Sequence, residues 1–356
     1  MTVARTPDRL TTPRSLIEAG LAAPERLAEL EAIAGRYAIA VTPALATLVE
    51  RGEPADPIAH QFVPDARELI RDPAERDDPI GDDAMSPIHG LVHRYPDRVL
   101  IKLVAACAVY CRFCFRRERV GPGAGALSAA EFAAALDYVS AHPGVWEVIL
   151  TGGDPLILSS RRIGEATRAL AQIPHVKTLR WHTRLPVAAP ERVTKALARA
   201  LIADGKTTVV AVHANHPREF TEAARAACRR LSAEGAMLVS QSVLLRGVND
   251  DPETLIGLMR AFVEARVKPY YLHHCDLAPG TAHWRVSVAE GQELMRVLRG
   301  RLSGLAMPTY ILDIPGGWGK APIGPQWVRS DGNGAHLVSD PQGVEHRYLD
   351  RLSADS

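Results

Sequence analysis

The stretch Val99-Leu-Ile-Lys-Leu-Val-Ala-Ala106 followed by Cys107-Ala-Val-Tyr-Cys111-Arg-Phe-Cys114 decides how the chain is read. The first half is a largely apolar run of strand character. The second half places three of the five cysteines within eight positions, spaced C-x3-C-x2-C. Thiolates are soft ligands, and three on one tight loop suit an iron–sulfur cluster. Three protein ligands leave one iron of a [4Fe–4S] cube open to a small molecule. Two other readings compete. The cysteines could pack as small apolar residues. A zinc site would need a fourth ligand at matching spacing, and Cys228 and Cys275 stand alone.

Working outward, the chain of 356 residues is long enough for one α/β barrel with appendages. Its hydrophobic content of 47% supports a large core. A formal net charge of +1 supplies no global attraction for nucleic acid or a membrane surface. No stretch approaches the roughly 20 apolar residues of a transmembrane helix, and Met1–Asp8 lacks the apolar centre of a secretory signal. The cysteine pattern argues against a disulfide framework. A reducing cytoplasm is the expected compartment.

Three segments are expected: a helical N-terminal extension (1–95), a barrel (96–315) and a C-terminal part (316–356). Start signals Thr12-Pro13, Pro24 and Thr42-Pro43 mark short helices in the first. Its Pro- and Asp-rich stretch from Gly52 to Ser86 reads as an ordered wrap with one helix at 66–70, serving as packing and edge cover. Strand candidates then follow at 99–104, 147–150, 178–181, 208–213, 237–243, 269–273 and 309–311. Helices between them begin with the capping box Ser128-x-x-Glu131, then cover about 161–171, 189–203, 218–234, 252–265 and 288–302. Such alternation argues for a parallel sheet with functional groups at the C-terminal ends of its strands. The fold class is α/β, an open partial parallel β/α barrel. Turns at 331–334 and 340–343 divide the C-terminal segment into a small β-meander.

Two further motifs carry chemistry. Thr151-Gly-Gly-Asp-Pro155 follows the second barrel strand. Its glycines admit close backbone approach, and Asp154 could hold an ammonium; a plain βα turn is the competing account. Lys320 lies in Asp313-Ile-Pro-Gly-Gly-Trp-Gly-Lys320. The phosphate-loop spacing is absent, leaving a lysine for imine formation as one alternative and a solvated surface lysine as the other.

The stretch His93-Arg-Tyr-Pro-Asp-Arg98 through Cys107 to Arg117 resembles the lysine 2,3-aminomutase family of radical S-adenosylmethionine (SAM) enzymes, and the likeness runs from about 42 to about 325. That resemblance implies a [4Fe–4S] cluster on Cys107, Cys111 and Cys114, with SAM at Gly152, Gly153 and Asp154. His213 and His216 border the same cofactor by the same likeness, or are buried, satisfied histidines. It implies pyridoxal 5′-phosphate (PLP) joined to Lys320 as an imine, with Arg94, Arg98 and Gln241 toward the phosphate and Tyr95 beside the ring. Trp318 replaces a family glycine in that loop.

For the substrate, the resemblance implies Arg116 on an amino-acid carboxylate and Asp276 with Asp313 around a distant ammonium. Two carboxylates select lysine over a neutral or acidic side chain. The expected reaction is conversion of L-lysine to β-lysine by radical 2,3-amino migration, with an electron donor of the flavodoxin or ferredoxin kind. One rival is a lysine aminomutase acting on translation elongation factor P, which shorter relatives resemble. Another is a non-catalytic iron–sulfur binding or sensing protein. Longer free-lysine relatives carry zinc through a cysteine after Gly-Val-Asn-Asp and a cysteine-rich tail. Here Gly247-Val-Asn-Asp250 is followed by Asp251, and no cysteine follows Lys320, so no zinc is expected. A homodimer remains an expectation of the resemblance.

Overall fold

A computed structural model describes residues 9–123, 125–332 and 334–350. The segment Met1–Asp8, which bears on targeting, lies outside them, as does Asn333 in the expected turn at 331–334. The N-terminal segment forms four short helices: α1 (Pro13–Glu18), α2 (Leu27–Ala34), α3 (Pro43–Ala46) and α4 (Pro57–Phe62). Thr12, Thr42 and Asp56 cap three of them, each followed by proline at the first helical position. That pairing satisfies an orphan amide and presets φ. The stretch at 66–69 is a single 3₁₀ turn capped by Asp65.

The barrel follows in chain order as β1 (Leu91–Tyr95), β2 (Arg98–Val104), α5 (Ala129–Ser140), β3 (Glu147–Gly152), α6 (Ser160–Ala171), β4 (Thr178–Thr183), α7 (Leu185–Ala188), α8 (Lys195–Leu201), β5 (Thr207–His213), α9 (Glu222–Ala233), β6 (Met237–Leu244), α10 (Pro252–Glu264), β7 (Lys268–His274), α11 (Val288–Arg301), β8 (Thr309–Ile314) and β9 (Gly319–Pro322). Nine strands pair in sequence order. β2 to β8 are parallel, while β1 and β9 run antiparallel at the two edges. The seven parallel strands sit where alternation of apolar runs and helices places them.

Three features differ from the sequence reading. The helix expected over 189–203 is broken: Pro190 opens a 3₁₀ turn that ends at Arg192, and Thr194 caps a separate α8. The edge strands β1 and β9 were not anticipated, since each is short and carries charge. Lys320 therefore lies on a strand, opposite Asp313 of β8, and Asp313 lies within β8 rather than after it. The edges meet where the Lys320 amide donates to Tyr95 Oη at 2.7 Å. A β-carbon on Gly319 would strike that tyrosine, and Gly319 has φ +96°, so glycine is required there.

Outward-facing residues of the strands, such as Val99, Ile101 and Leu103 of β2, join the helices in one core. The alternate residues Arg98, Leu100 and Lys102 face the barrel interior. A second apolar cluster joins the N-terminal helices to Val109 of the cysteine loop and Ala188 of α7. β10 (Val328–Gly332), β11 (Ala335–Ser339) and β12 (Glu345–Leu349) form a separate antiparallel sheet, matching the expected meander. No helix among the described residues is long and apolar enough to cross a membrane.

The N-terminal segment does more than cover an edge. Glu68, fully buried, accepts from Arg112 Nε at 3.0 Å and Nη2 at 2.5 Å, and from Arg117 Nη2. Both arginines belong to the cysteine loop. Burying them unpaired would cost several kcal/mol each. Glu68→Gln is expected to destabilise the fold by about 3–5 kcal/mol; a denaturant midpoint equal to the parent's would remove this role.

Candidate active site

The cysteine loop leaves the C-terminal end of β2, as a barrel site requires. Cys107, Cys111 and Cys114 line one cavity with Tyr37, Arg112 and Arg117. Burial raises all three thiol pKa values; that of Cys114 reaches about 11, with Cys111 beside it adding to the effect. Among the described residues no three His, Cys, Asp or Glu side chains converge on one point as a single ion demands. Sulfurs around an iron–sulfur cube bind different irons and do not need to converge so closely. One contact opposes the effect of burial: Arg184 Nη1, whose guanidinium is held by Gln61 and by the buried Glu219, lies 3.5 Å from Cys111 Sγ and favours its thiolate. Soft donors, a shared cavity and a cation on one sulfur fit an iron–sulfur cluster.

The Gly152-Gly153-Asp154 turn lies directly on this loop. Gly153 N donates to Val104 O and Asp154 N to Ala106 O at 3.0 Å. A β-carbon at either glycine would collide with that backbone, so the close approach these glycines permit is to the chain leading into Cys107. Asp154 is itself held within this turn. Its buried carboxylate accepts from Thr183 Oγ1 at 2.8 and 2.9 Å, Arg184 N at 2.9 Å and Leu156 N at 3.0 Å. These bonds build the carboxylate into the turn beside the cysteine loop. Gly152 does line an open cavity beside Lys102 and Arg116.

The second cluster centres on Asp313, which is 5% exposed. Lys320 Nζ donates to both its oxygens at 2.6 Å. His273 Nδ1 lies 3.2 Å away and Arg94 Nη1 3.8 Å away. Burial alone would raise the Asp313 pKa, but His273 and Lys320 together hold it well below the usual carboxylate range. Asp276, at the end of β7, has the opposite fate. Burial, then the negative charge of Asp313, push it up to about 8. Its carboxyl has no hydrogen-bond partner among the described residues. Two nearby carboxylates are thus split, one ionised and one neutral at pH 7.

Arg94 reaches this cluster, and its buried Nε has no partner. Arg98 does not reach it directly. Its guanidinium stacks 3.6 Å over Tyr95 and pairs with Asp97 at 2.6 Å, touching Lys320 only through that tyrosine. Gln241 lies on β6 between His213 and Tyr271, with no side-chain hydrogen bond among the described residues. Arg116 lies near the cluster loop as expected but is already engaged. Its Nε and Nη2 sit 2.9 and 2.8 Å from Asp82 Oδ2, and Nη1 approaches Thr151 Oγ1 at 3.5 Å.

Asp82, His182 and His273 escaped the sequence reading, which named His213 as bordering SAM or as a buried, satisfied histidine. Asp82, 3% exposed, links Arg116 to Arg94, which is 3.5 Å away. It lies in an acidic loop, where a solvated carboxylate is the default. Inside the barrel, His182, His213 and His273 present buried Nε2 atoms without partners. Burial lowers all three pKa values, that of His213 to about 3, so they are neutral imidazoles. Their inward positions on β4, β5 and β7 follow from strand alternation, the one available signal. The orphaned Arg94 Nε and the three imidazole Nε2 atoms are buried polar groups left for a ligand to satisfy, and Arg94 and His273 lie beside the Asp313–Lys320 pair.

A parallel barrel with this cysteine loop defines a radical SAM protein. Residues 101–259 match the radical SAM superfamily, and residues 295–350 match the lysine-2,3-aminomutase family. The L-lysine 2,3-aminomutase of Acetoanaerobium sticklandii is 39% identical over 310 residues, covering 87% of this chain and 75% of that protein. That of Clostridium subterminale is 38% identical over 315 residues, covering 88% and 76%. The glutamate 2,3-aminomutase of Clostridioides difficile is 35% identical over 326 residues, covering 92% and 77%. The chain belongs to the lysine 2,3-aminomutase family of radical SAM isomerases, a family that implies a [4Fe–4S] cluster and SAM.

The raised pKa of Asp276 fixes a sign. The folded state retains a proton that the unfolded chain releases near pH 4, so this group costs stability as pH rises from about 4 to about 8. Asp276→Asn removes that cost. The variant is expected to melt above the parent at pH 8, on the order of several degrees, with the gap closing toward pH 5. A gap independent of pH would contradict the assigned protonation.

Proposed function

We propose that this protein converts free L-lysine to β-lysine by 2,3-amino migration, using SAM at the cluster and PLP on Lys320. The observation that carries this reading is the Asp313 carboxylate, which already holds a lysine-type ammonium, Lys320 Nζ, with both oxygens at 2.6 Å. The ε-ammonium of free lysine presents the same group. Asp276 stands ready as a second carboxylate, neutral until another cation arrives to favour its ionisation.

When bound, the cluster and SAM supply a carbon radical and PLP supplies a carbonyl for the amine. The residues of the chain supply placement. Lys320 projects from β9 with its nitrogen toward the interior, and Tyr95 fixes its backbone. Arg94, His213 and Gln241 offer donors to a phosphate or carboxylate. Cys107, Cys111 and Cys114 hold the cluster on the β2 wall, and the turn at Gly152–Asp154 sets the floor beside it. The largely buried interior keeps water from a reactive radical.

The choice of lysine over glutamate follows from charge. A side-chain carboxylate placed against Asp313 would meet a like charge in a poorly solvated site, which costs several kcal/mol. Incubation with L-lysine, SAM and a strong reductant should yield β-lysine; turnover of glutamate in place of lysine would overturn the assignment. Lys320→Ala should abolish the visible absorbance of bound PLP, and retention of that band would refute its role. Asp313→Asn should lower kcat/KM for lysine by about a hundredfold or more, read beside the PLP absorbance to show that the cofactor is still held.

A further inference from the structure

A cavity of about 680 Å³ lies against the C-terminal half of β2, lined among others by Asp82, Lys102, Arg116, Arg119 and Gly152. Most of the charge on its wall is already neutralised. Arg119 Nη2 pairs with Asp83 at 2.6 Å. Arg116 turns its Nε and Nη2 edge to Asp82 at 2.9 and 2.8 Å. Glu131 accepts from Ser128 in the cap of α5 and lies 3.7 Å from His89. Lys102 is the exception. Its ammonium has no hydrogen bond and no ion pair among the described residues, although the side chain is half-buried.

Its position makes that unusual. Lys102 is the sole charge between Val99 and Ala106, on a strand whose other face is core. Strand alternation turns it inward beside Gly152, where the missing side chain leaves room. Burial disfavours its charged form, and nearby Asp82 offsets this only in part. An inward lysine with no protein partner is costly to maintain unless a ligand completes it. The expected carboxylate grip of Arg116 is meanwhile weakened, since the guanidinium edge best suited to a bidentate pair is spent on Asp82.

We propose that Lys102 Nζ and the remaining Nη1 edge of Arg116 form a carboxylate-binding site on the β2 wall, and that it takes the α-carboxylate of a free amino-acid substrate. The proposal rests on the lysine reading above and sharpens it. Asp313 and Asp276 receive the ammonium end of the substrate, while Lys102 supplies the unneutralised cation for the other end. A lysine within a polypeptide has no free α-carboxylate, so this site selects the free amino acid. SAM also carries an α-carboxylate, and it is the alternative source of the same chemistry.

Titrations of the holoenzyme with L-lysine and with L-lysinamide, followed by the change in PLP absorbance, test the assignment. In Lys102→Met the Kd for lysine should rise roughly ten- to a hundredfold, as for loss of one charge-assisted hydrogen bond. The Kd for lysinamide, which lacks the carboxylate, should be unchanged, and Lys102→Arg should keep lysine binding within a few-fold. The Kd for SAM, measured by calorimetry, should not move. An unchanged lysine Kd overturns the site, as does equal weakening of lysine and lysinamide. A loss of SAM affinity with lysine untouched assigns Lys102 to the cofactor and overturns it too. If the parent holoenzyme binds neither lysine nor lysinamide, the lysine reading itself falls.

Discussion

The cysteine loop can be buried only because Glu68 meets it. Arg112 stands between two cluster cysteines and Arg117 just beyond the third, and both guanidiniums enter the interior with the loop. Each needs an anion at hydrogen-bond distance, and one fully buried carboxylate from the N-terminal segment serves both. Arg112 also donates to Ala38 O at 2.7 Å, and Arg117 packs 3.6 Å over the ring of Tyr37. The segment before the barrel is therefore the counter-charge of the cysteine loop. Without it, the strand that presents the cysteines would end in two unpaired buried cations.

The same segment supplies the second balance. Asp82 lies between Arg116, which follows the cluster loop, and Arg94, which belongs to the edge strand β1. Arg94 in turn faces Asp313, and Asp313 holds Lys320. A chain of alternating charge thus runs from the loop after β2 to β9, across the seam of the barrel. Pairs of this kind contribute little net stability once desolvation is counted. Their value is geometric: they tie the loop after β2 to the strand that carries Lys320.

Much of the architecture was legible in the sequence. The β2 run with C-x3-C-x2-C, the alternation of later strands and helices, and the C-terminal turns each depend on local pattern, and each is found in place. Asp276, Asp313, Arg94 and Lys320, named by a family resemblance, come to one charge cluster. Arg98 does so only through Tyr95, because its stacking on that ring satisfies it locally. The departures arise where long-range contact overrides local signal. Asp154 looks like a free acid beside two glycines, yet Thr183 and the Arg184 amide, distant in sequence, donate to its oxygens. Asp82 reads as one more acid in a solvated loop until two arginines are brought to it. β9 is too short and glycine-rich to announce itself, and it exists because β8 offers an open edge.

The sequence by itself determined the class of chemistry: three thiols on one loop, a barrel rhythm and a lysine among glycines are local facts, set by spacing and periodicity. Only the tertiary structure decided which charges remain available. Whether a carboxylate or guanidinium is free or spent depends on partners that arrive from elsewhere in the chain. It is on that ground that Arg116 is engaged while Lys102 is unpaired, and that Asp276 stays neutral beside an ionised Asp313. Burial and the field of neighbouring charges fix those states, and neither is written in any short stretch of residues.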